Sequence, residues 1–181
     1  GFRDMEIVPL RAALWMTGIA TLVVMLFLKS FVGHAAVVTS VGLAGFSSYL
    51  TYYGNYVIHE TLLGFFAVTL LVFLFAFVSC PSKLKMVGIG VMAGLMFSSK
   101  ITSLILFVSW FIGAMGVGLW CERSWPSRFK WKQWCSWFLV GIVSAFLVST
   151  LLYTDFLKHP SGLWDAIRSI WLYETEIGHE K

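Results

Sequence analysis

The chain has 181 residues, of which 59% are hydrophobic and only 12% charged. Ordinary soluble domains are about 45–50% apolar and about 25% charged, so this composition excludes a typical water-soluble domain. The net charge of +4 is accompanied by no basic motif and no aromatic stacking platform, which argues against a nucleic-acid-binding protein.

The apolar residues come in blocks of about 20, the length of helix that crosses a hydrocarbon core of about 30 Å. The sequence therefore predicts an all-α fold, a polytopic transmembrane helix bundle with about six spans in residues 1–153. The predicted spans cover residues 8–28, 31–50, 61–80, 82–99, 101–120 and 134–152. Residues 154–181 are predicted to form an extracytoplasmic loop with a short amphipathic helix over 161–173.

Glycines recur in two of these predicted spans. They are Gly33, Gly42 and Gly45 in the second span, and Gly88, Gly90 and Gly94 in the fourth. Small residues let helix backbones approach closely in lipid, so both groups are predicted to lie at helix contacts.

The cations are unevenly divided between the two sides of the predicted membrane. One side holds seven cations and the single acid Glu122; the cations are Lys29, Lys83, Lys85, Arg123, Arg128, Lys130 and Lys132. Because Lys and Arg are retained in short cytoplasmic loops, that side is predicted to be cytoplasmic and both ends of the chain extracytoplasmic. The chain begins with Gly1 and finishes in a polar run, and we expect it to be an internal fragment of a longer protein.

The first candidate site lies at the predicted outer turn before the third span. Continued as helix, Tyr53, Tyr56 and Glu60 share one stripe, with His59 on a neighbouring stripe. One interpretation makes Glu60 a general base, or an acceptor that positions a sugar hydroxyl or a metal ion, with His59 as its partner. The other makes Glu60 a helix-dipole partner and the tyrosines an interfacial belt.

The second candidate is Lys100, between the fourth and fifth spans, with hydroxyls of Ser98, Ser99 and Thr102 nearby. Such a cation at the outer face fits a lipid-linked phosphate, although an interfacial lysine that snorkels from a helix hairpin has the same pattern. Arg11, one turn inside the first span, has the same two interpretations. The three cysteines, Cys80, Cys121 and Cys135, have no metal-ligand spacing, and no metal site is predicted.

Three blocks of the sequence resemble a known superfamily. They run from Tyr52 to Glu60, from Gly94 to Thr102, and from Pro160 to Ile167. Together they resemble the C-type (GT-C) membrane glycosyltransferases, which include protein mannosyltransferases, and more narrowly the archaeal and bacterial branch of flippase-activity-associated proteins.

The resemblance implies transfer of a sugar from a polyprenyl-phosphate donor to a glycan, lipid or protein acceptor at the extracytoplasmic face of a prokaryotic plasma membrane. Glu60 and His59 would then be catalytic, while Lys100, Tyr53, Tyr56, Asn55 and Arg11 would bind substrate. Whether a divalent cation takes part stays open. In members of the superfamily the acid pair treated as catalytic lies in an outer loop upstream of the first span predicted here, so the fragment alone is expected to be inactive.

A second class of function stays open beside the enzyme. A non-enzymatic lipid-carrier flippase accessory or transporter component would use the tyrosines and Glu60 only to bind a lipid head group. A proton-coupled transporter would need ionisable groups near the centre of the bilayer, and every predicted span is apolar or small there.

Overall fold

The computed structural model describes residues 2–46, 60–99, 103–120, 131–156, 158, 164 and 168. Within these residues the chain is helical and has no strand, which confirms the predicted all-α class. The helices are α1 (Phe2–Leu26), α2 (Lys29–Val32), α3 (His34–Gly45), α4 (Glu60–Ser79), α5 (Lys83–Ser99), α6 (Ser103–Trp120) and α7 (Trp131–Tyr153). Of the predicted helix over 161–173, only Trp164 and Arg168 lie among the described residues, and both are helical.

Three helical stretches in the described residues are long and apolar enough to cross a membrane: Arg11–Val32, Glu60–Ser79 and Cys135–Tyr153. The predicted count of about six spans is therefore not confirmed. At a rise of 1.5 Å per residue, the 12 residues of α3 extend only about 18 Å, well short of a hydrocarbon core. The 17 residues of α5 include Lys83 and Lys85 in its first turn, which shortens its apolar part.

The second predicted span, residues 31–50, differs most from the structure. The helical path of α1 continues through a tight turn into α2, where Phe27 and Leu28 donate backbone bonds to residues three positions earlier. It then breaks at Gly33, whose φ of 99° is a left-handed conformation that favours glycine. The helix that follows, α3, starts only at His34 and finishes at Gly45.

The described surface is strongly apolar. Large hydrophobic side chains stay exposed along α1, α3, α4 and α7, including Met16 at 70%, Leu43 at 72% and Phe146 at 63%. The buried apolar residues are few, namely Leu14, Val37, Leu70, Phe77 and Met96. A soluble monomer rarely exposes contiguous apolar surface on this scale, and contact with a lipid bilayer accounts for it.

Helix α5 is the centre of the packing. It packs against α4 and, on a different face, against α7, while α6 contacts it less extensively. Helix α4 packs in turn against α1, and α1 against α3. The helices therefore follow one another laterally in the order α3, α1, α4, α5, α7.

Side-chain contacts fix the direction of these helices. Gly88 of α5 faces the ring of Phe73, and the ammonium of Lys85 reaches the carbonyl of Ala76, so α4 and α5 are antiparallel. In contrast, Gly90 faces Gly141 and Gly94 faces Ala145, so α5 and α7 are parallel. The head of α4, the end of α5 and the end of α7 consequently lie at one end of the bundle, called here the Glu60 end. The opposite end, called the Lys83 end, holds the head of α5.

Candidate functional site at the Glu60 end

Glu60 is the first residue of α4 and the acid of its first turn. The partial positive charge of a helix N-terminus stabilises an anion at this position. The side chain is half-buried, and its Oε2 is shielded from solvent. Of the two predicted site residues that the structure describes, Glu60 and Arg11, Glu60 is the more shielded from solvent.

The other predicted site residues are mostly outside the described part of the chain. This applies to Asn55, Tyr53, Tyr56, His59 and Lys100. Ser99, the neighbour of Lys100 in the chain, finishes α5 at the Glu60 end. Arg11 is described and is exposed on α1. Phe31, near the other end of the stretch Arg11–Val32, stacks on Phe75 in the half of α4 nearer the Lys83 end, so Arg11 lies toward the Glu60 end.

The serines predicted to assist Lys100 use their hydroxyls inside their own helix. Ser98 Oγ donates to the carbonyl of Gly94 at 2.9 Å, and Ser99 Oγ donates to the carbonyl of Leu95 at 2.7 Å. These bonds to the carbonyl four residues earlier satisfy both hydroxyls within α5. A phosphate near Lys100 would have to compete with them.

Helix α7 reaches the end of α5 through two hydrogen bonds that the sequence did not predict. Ser149 Oγ donates to the carbonyl of Gly94 at 3.3 Å, and Tyr153 Oη donates to the carbonyl of Phe97 at 3.1 Å. The ring of Tyr153 also meets the ring of Phe97 edge to face, with centroids 5.9 Å apart. These contacts tie α7 to the part of α5 that leads to Lys100. A signal was present in the sequence, because Gly141 and Ala145 repeat the four-residue spacing of Gly90 and Gly94.

A groove of about 300 Å³ lies between α5, α6 and α7 in the half of the bundle nearer the Glu60 end. Its walls are almost wholly apolar and include Ala93, Phe97, Phe107, Ile142 and Phe146. Ile142 and Phe146 are exposed on the outer face of α7, so the groove borders the apolar surface. Its size and lining fit part of a hydrocarbon chain.

Buried hydroxyls gather at the same end. Thr61 is 6% exposed and Ser103 is fully buried, and neither hydroxyl oxygen has a hydrogen-bond partner in the described structure. Thr150 Oγ1 on α7 is likewise shielded and without a partner there. In contrast, Thr17, Thr21 and Thr69 all donate to the carbonyl four residues earlier at 2.8 Å.

The Lys83 end has a different polar arrangement. Lys85 Nζ donates to the carbonyl of Ala76 at 2.9 Å and to that of Cys80 at 2.7 Å. The carbonyl of Ala76 also accepts from the backbone N–H of Cys80 at 3.1 Å, but Pro81 has no N–H with which to continue these backbone bonds. Lys85 therefore caps the C-terminus of α4 with a charge that also complements the helix dipole.

The described residues include no group of three or more His, Cys, Asp or Glu side chains that would hold a metal ion. Comparison of the chain with known protein families, with curated proteins and with solved structures finds no match.

Proposed function

We propose that this chain belongs to the membrane region of a glycosyltransferase that moves a sugar from a polyprenyl-phosphate donor to an acceptor at the extracytoplasmic face. The observation that carries the proposal is the position of Glu60 at the same end of the bundle as the terminus of α5, next to Lys100 in the chain. The likeness of the three sequence blocks to GT-C enzymes supplies the reaction type.

The groove between α5, α6 and α7 supports a lipid-linked substrate. It is apolar, lies beside the exposed surface of α7 and reaches Phe97, less than one helical turn before Lys100. An isoprenoid chain in this groove would bring its phosphate toward Lys100 at the membrane surface. The proposed orientation puts the Glu60 end outside, because Lys83 and Lys85 occupy the opposite end.

The proposed chemistry is a single inverting displacement. The carboxylate of Glu60 accepts the proton of the acceptor hydroxyl while that oxygen forms its bond to the anomeric carbon. The bond between the anomeric carbon and the phosphate oxygen breaks, and polyprenyl phosphate leaves with the bonding electrons. Lys100 would stabilise the charge that develops on the leaving phosphate, and His59 would orient Glu60.

Substitution of the proposed base is the direct test. In membranes that contain the complete protein, Glu60→Gln should reduce transfer from a polyprenyl-phosphate sugar by about 10²–10⁴-fold, because the amide cannot accept the proton. Asp155→Asn is the matched control: it makes the same charge change at an exposed position of the Glu60 end. Unchanged turnover in Glu60→Gln would remove Glu60 from the mechanism.

A non-enzymatic lipid-carrier accessory is the second candidate. It is favoured by the scarcity of acids, since Glu60 is the only Asp or Glu in the sequence from residue 60 to residue 120. A single carboxylate beside an apolar groove suits the binding of a lipid head group without chemistry. This alternative predicts that Glu60→Gln weakens binding of a polyprenyl phosphate to the purified protein while the wild type transfers no sugar.

A further inference from the structure

Tyr153 gives the last turn of α5 a hydrogen-bond partner from another helix. Phe97 is the third residue from the end of α5, so its carbonyl is one of the four that a helix leaves without a partner of its own. Tyr153 Oη donates to this carbonyl at 3.1 Å, and the rings of the two residues meet edge to face at an interplanar angle of 71°. Phe97 is therefore held both through its backbone and through its side chain.

The same tyrosine lies at one end of the apolar groove between α5, α6 and α7. It continues a stripe of α7 whose residues are spaced by four, three and four, namely Ile142, Phe146, Ser149 and Tyr153. The first three of these line the groove, and so does Phe97. Because Tyr153 contacts Phe97 one helical turn beyond Ser149, the pair of rings borders the groove on the side of the Glu60 end.

The lining of the groove combines large and small side chains. Phe97, Phe107 and Phe146 contribute aromatic rings, whereas Ala93 and Ala145 contribute only a methyl group each. A straight acyl chain has a constant width, but an isoprenoid chain has a methyl branch on every unit. Hollows between rings and small residues suit such branches, and a close-packed wall discriminates between chains that differ by single methyl groups.

We propose that Tyr153 is a positioning residue of this groove, and that the wall it holds selects an isoprenoid chain over a straight acyl chain. By fixing Phe97, Tyr153 sets the width of the groove where α5 finishes. The chain enters from the side, because the groove is continuous with the apolar surface of α7 at the exposed residues Ile142 and Phe146. The selection rests on the lipid-linked ligand of the proposed function, and it is the same for the enzyme and for the accessory.

Calorimetric titration of the full chain in detergent tests the selection with two probes. Farnesyl phosphate has an isoprenoid chain, and dodecyl phosphate has a straight chain of the same main-chain length. Wild type should bind farnesyl phosphate about tenfold more tightly than dodecyl phosphate. Inorganic phosphate is the reference without a chain.

Tyr153→Phe keeps the ring and removes only the hydroxyl donor. It should weaken the binding of farnesyl phosphate about fivefold and leave that of dodecyl phosphate unchanged, because one net hydrogen bond that positions Phe97 is lost. Ser144→Ala is the matched control on the same helix, since its hydroxyl bonds to the carbonyl of Val140 within α7. The control should leave both affinities unchanged.

Failure of the selection and failure of the proposed function give different results. If wild type binds farnesyl phosphate no more tightly than inorganic phosphate, the groove holds no chain, and the lipid-linked ligand fails together with the role of Tyr153. If wild type prefers farnesyl phosphate and Tyr153→Phe keeps the whole preference, the positioning role is overturned while the lipid-linked ligand stands. Equal weakening of both probes in Tyr153→Phe would likewise overturn it, because a general loosening of the helix pair does not depend on chain shape.

Discussion

Helices α5 and α3 each contain more than one glycine, but the glycines have different structural roles in the two helices. In α5, a Cβ on Gly94 would lie 2.6 Å from the carbonyl oxygen of Ala145, and one on Gly90 would lie 2.8 Å from Cβ of Ser144. In α3, a Cβ on Gly42 would meet nothing within 4 Å. The first group allows two backbones to touch, whereas the second leaves open space.

The difference teaches that glycines bring two helix backbones together where the partner helix also has small residues, whereas Gly88 of the same helix makes room for the ring of Phe73. Helix α7 offers Gly141 and Ala145 to α5, and the two backbones interlock. Around Gly45 the nearest group is the flexible end of Leu22, at 3.8 Å from the added Cβ. We therefore expect alanine at Gly90 and alanine at Gly42 to have opposite effects on stability.

The largest expected effect is that of Gly90→Ala. The added methyl would strike the backbone carbonyl of Gly141, which cannot rotate away, so α5 and α7 would have to separate. Separation also strains the bonds from Ser149 and Tyr153 to α5. We expect the free energy of unfolding to fall by about 3 kcal/mol, measured by denaturant titration in mixed micelles. Stability equal to wild type would show that the two helices do not touch at Gly90.

A smaller loss is expected for Lys85→Met. The variant keeps most of the side-chain volume but removes two charge-assisted bonds to the C-terminal carbonyls of α4. We expect a loss of about 2 kcal/mol in the same titration. Lys83→Met is the matched control, because Lys83 is exposed in the same turn of α5. Equal losses in both variants would assign the effect to net charge and not to capping.

The smallest effect, and one of opposite sign, is expected for Gly42→Ala. Open space surrounds this position, and alanine favours the helical conformation more than glycine does. The free energy of unfolding should rise by about 0.5–1 kcal/mol. A loss here as large as that of Gly90→Ala would mean that α3 has a close partner at Gly42, and would remove the contrast between the two groups.

The sequence predicted the helix bounds well where a single apolar block forms a single uninterrupted helix. The predicted span 61–80 matches Glu60–Ser79, and 82–99 matches Lys83–Ser99, within one residue at each end. Within residues 31–50, the described part up to Phe46 is helical but interrupted at Gly33, because hydropathy does not register a backbone break. Composition indicates whether a segment lies in lipid or in water, whereas the backbone dihedral angles of single residues decide where a helix begins.

The candidate site was predictable only in part. The placement of Glu60 at the head of a helix follows from where the apolar block begins. The roles of Lys85, Ser149 and Tyr153 did not follow, because each acts on a carbonyl of another helix or of an earlier turn. Such partners depend on which helix faces pack together. The hydrophobic pattern within one segment does not predict which helix will be its neighbour.

The parallel arrangement of α5 and α7 has a consequence for the biosynthesis of this protein. Ser149 meets Gly94 across 55 positions of chain, whereas α4 and α5 are joined by a turn of three residues. A ribosome delivers α4 and α5 together, and they can pair as soon as they leave the translocon. The glycine contact with α7 must wait until α6 and the segment that precedes α7 have been synthesised. The pair α5 and α7, whose backbones approach closely, therefore forms later than the pair α4 and α5. Until α7 arrives, the face of α5 that bears Gly90 and Gly94 has no helix packed against it.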